Sequence, residues 1–414
     1  DFNDESVLKD GYGMAILRSG EGPNRRAFWI GYKQARSHTH DDVMHIGLDA
    51  HRSEILGQMG YPRNWGAWEP NWITHILARQ IPFEQIIGRV QFFADAGSVQ
   101  VLEAFAPAFD DDVADTGRYE MLKDKWQRRT LATIDVGDTD FYCVDLYRIS
   151  GGDEHWWSFH AQEGEVEVEG LRLEDQEGGT VAGEDVPYGD EDWLAEHGCS
   201  KGQYGWRGRM FGFPHLYDVQ RADQTRRIRS DGVWSADWTL EDSDGLHFRM
   251  VVSEPDEAEV IFADGKSPAG GSPYEMKWVL MHNTDENPTT TQVVNLMELY
   301  RDHPLITDVR PLELSGSDEK GFEPIGLVVE LANGRTDTVF YSADGSVERT
   351  APGGFEFAGR FGVYSEKDGE PVNMNLVGGT KLTKNGVGIR QAADQYRTEI
   401  VSVDRKKSEV VVSP

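Results

Sequence analysis

Short runs in which apolar and polar residues alternate, or in which β-branched and aromatic residues follow one another, recur along the whole chain. Alternation with a period of two is typical of β-strands that bury one face, and helical periodicity is scarce here. The pattern therefore predicts an all-β chain. The clearest predicted strands are Met14–Arg18, Ala27–Tyr32, Val90–Ala94, Val99–Phe105, Phe141–Ile149, Glu165–Leu173, Phe248–Ser253, Met276–Met281 and Gln292–Leu299.

Turn residues separate these runs about every ten residues, which predicts a large stacked antiparallel β-sandwich of the supersandwich kind. The amino-acid composition changes near residues 301–312, after which tryptophan disappears and hairpin signals cluster. We therefore predict a large β-sandwich domain over residues 1–310 and a smaller β domain over residues 311–414. Four dipeptides favour tight hairpins, namely Asn333-Gly334, Asp344-Gly345, Asp368-Gly369 and Asn385-Gly386.

The net charge narrows the classes of molecule that the chain can bind. The formal net charge of the 414 residues is -31, so the chain as a whole should repel nucleic acid and anionic membranes. No apolar run is long enough to span a bilayer, and we expect a secreted or periplasmic protein.

The 12 tryptophans and 14 tyrosines are a heavy aromatic load for so polar a chain, and aromatic faces are surfaces on which sugar rings stack. The two cysteines, Cys143 and Cys199, allow one disulfide or none.

Two neighbouring segments carry opposite charge. Residues 174–192 hold eight acidic and no basic groups, whereas residues 201–229 hold seven basic groups and two acidic ones. The basic segment interleaves arginines, Arg207 and Arg209 among them, with aromatic residues, a pattern suited to a polyanionic sugar chain. The alternative is that its arginines pair with the acidic segment or with another part of the chain.

The densest set of metal-ligand residue types lies in and after the segment ARSHTHDD. It comprises His38, His40, Asp41, Asp42, His45, His51 and, farther along, His75. In a strand, His38 and His40 would lie on one face, so the pair can supply two metal ligands or can divide its roles between metal and substrate.

Several segments, taken in order, resemble the β-sheet region of heparinase II/III-type polysaccharide lyases. These are GYGMAILRSG, FWIGYKQARSHTHDD, ILGQMGYP, NWITHILARQ and the segment that ends in HWWSFHAQEG. The resemblance runs from about Gly11 to Leu305. It implies cleavage of a uronic-acid-containing polysaccharide by β-elimination, in which a base removes the C5 proton and an acid protonates the departing oxygen.

The resemblance also implies roles for single residues. His38 falls on the position of the catalytic histidine, and His40 falls on that of a ligand to a structural metal, zinc or another divalent ion, with His75 as a further ligand. Gln58 stands where the family has an aspartate ligand, which weakens the expected site. Asp42 would orient a histidine.

Further candidates come from position along the chain. Tyr61 follows the strand expected to pair near His38, and is a candidate catalytic residue or a tyrosine at the sandwich edge. Arg79 is a candidate contact to a substrate carboxylate or sulfate, or a surface arginine. His160 shares a strand face with Trp156 and is a candidate for the lining of the cleft, whereas Trp157 and Phe159 point to the other face.

Members of this family carry an N-terminal helical toroid that completes the cleft, and no such helical region occurs in this sequence. We therefore expect the toroid in the same or another chain, and an anionic polysaccharide such as alginate, a glycosaminoglycan or an ulvan-like polymer as partner. The alternative function is a non-catalytic carbohydrate-binding or assembly module that keeps the sandwich. A paired-carboxylate glycosidase also stays open, and only the resemblance favours elimination.

Overall fold

The computed structural model describes residues 5–33, 42–57, 72–109, 121–202, 205–253, 258–266, 275–284, 290–319, 321–395, 399–404 and 409–413. Strands make up 61% of the described residues and helices 5%, so the predicted all-β sandwich is confirmed. Within the described residues, no helix is both long enough and apolar enough to cross a membrane.

The strands of the first half are β1 (Val7–Lys9), β2 (Met14–Ser19), β3 (Arg26–Gly31), β4 (His45–Ala50), β5 (Ser53–Leu56), β6 (Leu77–Ile81), β7 (Gln85–Ile86), β8 (Arg89–Asp95), β9 (Val99–Phe109), β10 (Met121–Asp135), β11 (Phe141–Ser150), β12 (Glu154–His160), β13 (Gly164–Glu169) and β14 (Glu174–Asp175). One short α-helix, α1 (Glu191–Glu196), and the 3-10 turns Gly22–Asn24, Trp72–Thr74, Phe213–His215 and Gln224–Arg226 complete the described helical residues.

The strands that follow are β15 (Ser200–Gly202), β16 (Gly205–Arg207), β17 (Leu216–Ala222), β18 (Val233–Leu240), β19 (His247–Ser253), β20 (Glu259–Lys266), β21 (Glu275–Asn283), β22 (Thr290–Tyr300), β23 (Ile306–Pro311), β24 (Ile325–Leu331), β25 (Arg335–Tyr341), β26 (Arg349–Ala351), β27 (Phe355–Ala358), β28 (Phe361–Lys367), β29 (Glu370–Val377), β30 (Gly379–Lys384), β31 (Val387–Gln395), β32 (Glu399–Asp404) and β33 (Glu409–Ser413).

A nine-stranded antiparallel sheet forms the middle of the molecule, in the order β13-β18-β19-β22-β11-β10-β9-β7, with β8 also paired to β9. All ten residues of β11 are buried, because apolar side chains cover the sheet on both faces. This explains why β11 reads as a nearly continuous apolar run rather than as a strict alternation.

One face of the middle sheet packs against two smaller sheets. The first sheet is β1-β2-β3-β4-β5 and the six-stranded sheet is β14-β17-β20-β21-β12-β6. The core between these layers includes Phe28, Ile46, Trp157, Phe159 and Trp238. Because side chains alternate along β12, Trp156 points to the opposite, outer face of the six-stranded sheet, as predicted. There it belongs to a second apolar group, which we call the outer-face cluster and which includes Trp72, Leu77, Phe213 and Trp278.

The other face of the middle sheet is covered by the C-terminal part of the chain. The five-stranded sheet β23-β24-β25-β28-β29 packs on it through residues such as Val144, Leu296, Leu327 and Val363. The four-stranded sheet β26-β27-β30-β31 then packs on the five-stranded sheet. Strand β23, at Ile306–Pro311, is already part of this C-terminal layer, next to the domain boundary placed at residue 310.

Candidate functional site

The connection between β3 and β4 carries the histidines on which the resemblance rests. His38 and His40 lie outside the described residues, as do Gln58 and Tyr61. The ends of the connection are described: the Met44 N–H donates to the Gly31 carbonyl oxygen at 2.7 Å, and the His45 N–H donates to the Asp42 carbonyl oxygen at 2.9 Å. The segment with the two histidines therefore leaves from and returns to one end of the first sheet.

Two buried histidines lie beside this end of the sheet. The ring of His45, the first residue of β4, has its centroid 5.0 Å from that of His75, and the two rings are nearly perpendicular. The backbone N–H of Ile76 donates to His45 Nδ1 at 3.0 Å. Because Nδ1 accepts this bond, the neutral His45 ring carries its proton on Nε2, a tautomer assigned from the hydrogen bond. His45 therefore positions the neighbouring segment.

Residues 72–76, which we call the His75 turn, are held to the outer face of the six-stranded sheet by side-chain hydrogen bonds. The Ile73 carbonyl oxygen accepts from Ser158 Oγ at 2.7 Å and from Trp278 Nε1 at 3.0 Å. The Thr74 carbonyl oxygen lies 3.0 Å from His160 Nε2. These carbonyl groups belong to no strand and have no neighbouring strand to bond, so side chains of β12 and β21 supply the hydrogen-bond donors.

A buried ion pair ties the His75 turn to the start of β4. Arg129 of β10 donates to both carboxylate oxygens of Asp145 on β11, at 2.8 and 2.6 Å, and both side chains are 0% exposed. The remaining end of the guanidinium donates to the carbonyl oxygens of Met44 at 2.6 Å and of Ile76 at 2.7 Å. One side chain from the middle sheet thus fixes the backbone on both sides of the histidine pair.

His160 is fully buried in the structure. Burial lowers its pKa below the ordinary histidine value, so the ring is neutral at pH 7. Nε2 lies 3.0 Å from the Thr74 carbonyl oxygen and Nδ1 lies 3.3 Å from that of Ala161, so we assign the proton to Nε2, which makes the shorter contact. His160 shares the outer face of β12 with Trp156, as predicted, and its ring lies 5.3 Å from that of Trp278. The contacts described for His160 position the His75 turn, and its role as a substrate contact stays a prediction.

Two of the three predicted arginine contacts, Arg79 and Arg209, lie around the same outer face. Arg79 on β6 is largely buried and is the cross-strand partner of Trp156. Arg209 places its guanidinium 5.4 Å from the ring centroid of Phe83, which belongs to the rim of the outer-face cluster. Arg207 is the last residue of β16, and its side chain lies outside the described atoms. His75, His160 and Arg79 are therefore brought to one face of the six-stranded sheet, with Arg209 at its rim.

Part of the basic segment pairs with the acidic one. Lys201 Nζ lies 2.6 Å from Glu191, and Arg226 lies 2.5 Å from Glu174. Arg221 contacts Glu259 on the neighbouring strand. These pairs support the alternative interpretation for those cations, although half-exposed pairs of this kind add little stability.

The described residues bear on the predicted metal site and on the possible disulfide. Within the described ranges, no group of three or more His, Cys, Asp or Glu side chains is arranged to hold a metal ion. Of the three predicted metal ligands, only His75 lies in these ranges, where its imidazole is buried next to the segment ends described above. Cys143 and Cys199 are both buried and are not bridged.

Comparison with known proteins identifies the fold. The sequence matches no protein-family model and no curated protein. Among solved structures, the chain is similar to the heparan sulfate lyase HepC from Pedobacter heparinus, with a TM-score of 0.53 and 12% identity, covering 81% of this chain and 42% of that one. It is similarly close to a heparinase III gene product, with a TM-score of 0.52 and 12% identity, covering 81% and 42%.

A third structure, titled heparinase III, matches with a TM-score of 0.50 and 11% identity over 82% of this chain. The chain thus spans less than half the length of the structures that it matches. At this identity, the comparison shows the fold. The predicted resemblance to the β-sheet portion of heparinase-type structures is confirmed at that level.

Proposed function

We propose that this chain is the β-sheet part of a polysaccharide lyase that cleaves a uronic-acid-containing anionic polysaccharide by β-elimination. The observation that carries the proposal is the fold likeness to a heparan sulfate lyase over 81% of the chain. The sequence ARSHTHDD adds support, because the described residues that follow it include His45, which lies against His75, and Arg129 donates to the carbonyl oxygens of the neighbouring Met44 and Ile76.

The chemistry assigns a task to each group. Neutralising the uronate carboxylate makes the C5 proton acidic, and a base then takes that proton. The electron pair of the C5–H bond forms the C4–C5 double bond, the C4–O4 bond breaks, and O4 receives a proton. We assign His38 to the proton transfer at C5 or to the neutralisation of the carboxylate, and Tyr61 to proton transfer as its partner.

A divalent metal, zinc in the first place, belongs to the proposal as a structural element. His40, Gln58 and His75 would hold it; imidazole is a usual zinc ligand, and the neutral amide oxygen of Gln58 would be a weaker donor than the carboxylate of the family's aspartate. The ion would tie the histidine segment to the His75 turn. Asp42, at the end of that segment, is proposed to orient one of these histidines.

The substrate side of the site is proposed to use Arg79 and the basic segment with Arg207 and Arg209. Guanidinium groups bind carboxylate and sulfate in a bidentate manner. A helical toroid domain, in the same or another chain, would form the opposite wall of the cleft. A glycosaminoglycan is the polymer that the names of the structural neighbours suggest.

The test is an ultraviolet absorbance assay for the unsaturated uronate product on alginate, glycosaminoglycans and ulvan-like polymers. The chain would be assayed alone and together with its helical domain. We expect absorbance to rise when the helical domain is present and to stay flat for His38→Ala. His303→Ala is the matched control, because His303 is exposed and far along the sequence from the candidate site.

The rival function is a non-catalytic carbohydrate-binding module, which Gln58 in place of the family's aspartate favours. Polymer binding without any absorbance change, with and without the helical domain, would establish the rival and contradict the lyase proposal. Equal activity of His38→Ala and His303→Ala would refute the role of His38.

A further inference from the structure

A pocket of about 350 Å³ lies at the end of the first sheet away from the histidine segment. It is formed where β2 turns into β3 and where β4 turns into β5, and four arginines line it, Arg18, Arg25, Arg26 and Arg52. The histidine segment joins β3 to β4 at their other ends. Strands of six residues are about 20 Å long, so the two places are well separated.

The pocket is basic in a chain that is strongly acidic. Arg26 is paired with Asp135, and against the other three arginines stand two carboxylates of the lining, Asp49 and Glu54, whereas the chain as a whole carries a formal charge of -31. Burial lowers the pKa of the nearby His51, the positive charges of Arg301 and Arg26 lower it further, and the carboxylate of Asp140 acts in the opposite direction. We call this site the arginine pocket.

Arg26 provides a fixed wall of the pocket. It is 4% exposed, donates through Nε to Ser19 Oγ at 2.7 Å and through another nitrogen to Asp135 at 2.5 Å. Its guanidinium also lies 4.5 Å from the ring centroid of Phe141. The remaining nitrogen donates to the Asn24 carbonyl oxygen at 3.3 Å, and the charge is paired with Asp135, so Arg26 shapes the pocket wall and leaves the anion contacts to the other three arginines.

Arg52 lies on the exposed rim, in a backbone conformation that arginine rarely adopts. The two-residue turn between β4 and β5 consists of His51 and Arg52, with φ of 51° and 64°, and Ala50 pairs directly with Ser53. Turns of this type favour Asn-Gly, because a side chain at positive φ costs about 1–2 kcal/mol. Such strain at a pocket rim motivates a functional explanation, since glycine would be the more stable choice.

We propose that the arginine pocket binds one anionic sugar residue, through its sulfate or carboxylate group, as a second contact to the polymer outside the candidate cleft. The pocket volume falls at the lower end of the range for small-ligand sites. Arginine forks match the planar or tetrahedral oxygens of these groups, and Asp49 and Glu54 can accept bonds from sugar hydroxyls. The choice of a sugar rests on the proposed function, whereas the anion site rests on the arginines.

The experiment is isothermal titration calorimetry on the purified chain with four probes that need no turnover. These are inorganic sulfate, a sulfated disaccharide, an unsulfated uronate disaccharide and a neutral disaccharide. We expect one saturable site for an anionic disaccharide, tighter than for sulfate alone, and none for the neutral sugar. Whether the sulfated or the uronate probe binds more tightly identifies the anionic group that the pocket holds.

Amino-acid substitutions test whether the anion binds in the arginine pocket. Arg25→Gln together with Arg52→Gln should weaken binding ten- to a hundredfold, because each lost charged contact corresponds to about a tenfold change in affinity. Lys123→Gln with Arg172→Gln removes two exposed cations elsewhere and should change affinity less than twofold. Equal affinity of the two double variants, or no saturable binding of either anionic disaccharide by the wild type, would overturn the proposal.

Arg52→Gly separates binding from folding. It relieves the positive φ, so its melting temperature should rise while its affinity for the anionic disaccharide falls. A rise in melting temperature with unchanged affinity would show that Arg52 contributes nothing to binding. Because these measurements use no cleavage step, a negative lyase assay would leave the anion site intact and refute only the function proposed above.

Discussion

The Arg129–Asp145 pair makes the sharpest prediction, because it connects the middle sheet to the backbone on both sides of the histidine pair. Asp145→Asn keeps the shape of the side chain and removes its charge, which leaves the fully buried Arg129 without its counter-ion. Two charge-assisted hydrogen bonds, at 2.8 and 2.6 Å, are weakened at once. Breaking a buried pair in this way costs about 3–5 kcal/mol of the free energy of unfolding.

A matched control exists in the C-terminal layer. Arg335 makes the same bidentate contact to Asp337, at 2.7 and 2.9 Å, with an equally buried carboxylate. Asp337→Asn should therefore lose stability of the same order. Asp337 lies on β25, whose sheet covers the face of the middle sheet opposite the His75 turn, so the two variants should differ in where the structure loosens.

Amide hydrogen exchange followed by mass spectrometry distinguishes the two variants. In Asp145→Asn, peptides covering residues 42–48 and 72–78 should exchange at least tenfold faster than in the wild type, since each 1.4 kcal/mol of local opening is a factor of ten. In Asp337→Asn these peptides should keep wild-type rates at temperatures well below the unfolding transition. Equal protection of residues 72–78 in the two variants would refute the idea that Arg129 fixes the His75 turn.

Three further predictions address histidines. His155 donates to the Gly151 carbonyl oxygen at 2.9 Å and accepts from Thr291 at 2.8 Å, and burial lowers its pKa to about 4. The unfolded chain binds the proton from about pH 6.5 downward, whereas the folded chain does not. The free energy of unfolding should therefore fall by about 2–3 kcal/mol between pH 7 and pH 4.5. Urea unfolding of His155→Gln should show a smaller fall, and an identical pH dependence would contradict this. His160→Leu should lower the free energy of unfolding in urea by about 1–3 kcal/mol, because the buried Thr74 carbonyl loses its donor. His160→Gln should retain most of the stability, and equal losses in the two variants would contradict the positioning role. A chelator should lower the melting temperature of the wild type and of His303→Ala but not of His75→Ala, with metal content measured by mass spectrometry; a chelator that lowers all three alike would refute His75 as a ligand.

Local patterns predicted the fold well. Alternation correctly divided β12 into an inner face with Trp157 and Phe159 and an outer face with Trp156 and His160. Asn333-Gly334, Asp368-Gly369 and Asn385-Gly386 each form the predicted hairpin turn between paired strands. Asp344-Gly345 does not, because the strands on either side of it, β25 and β26, belong to different sheets. A dipeptide encodes turn geometry but not which sheet the next strand joins.

The candidate site was predictable only in part, because its supporting contacts are distant in the sequence. His45 was visible as one of several clustered histidines, but its partner Ile76 lies 31 residues away. Arg129 and Asp145 look like ordinary polar positions on two strands, and their contacts to Met44 and Ile76 depend on how three layers stack. His160 was recognised by its strand face, while its full burial follows from the segment that covers that face.

The layering of the C-terminal part has a consequence for handling the protein. Glu103 of β9 is completely buried and accepts hydrogen bonds from Arg128 of its own sheet and from Tyr341 and Arg360 of the C-terminal layer. Truncation near residue 305 would leave this carboxylate with fewer partners and would expose an apolar sheet face to water. A shortened version would therefore aggregate rather than behave as an independent module, and trimming should spare everything up to β31.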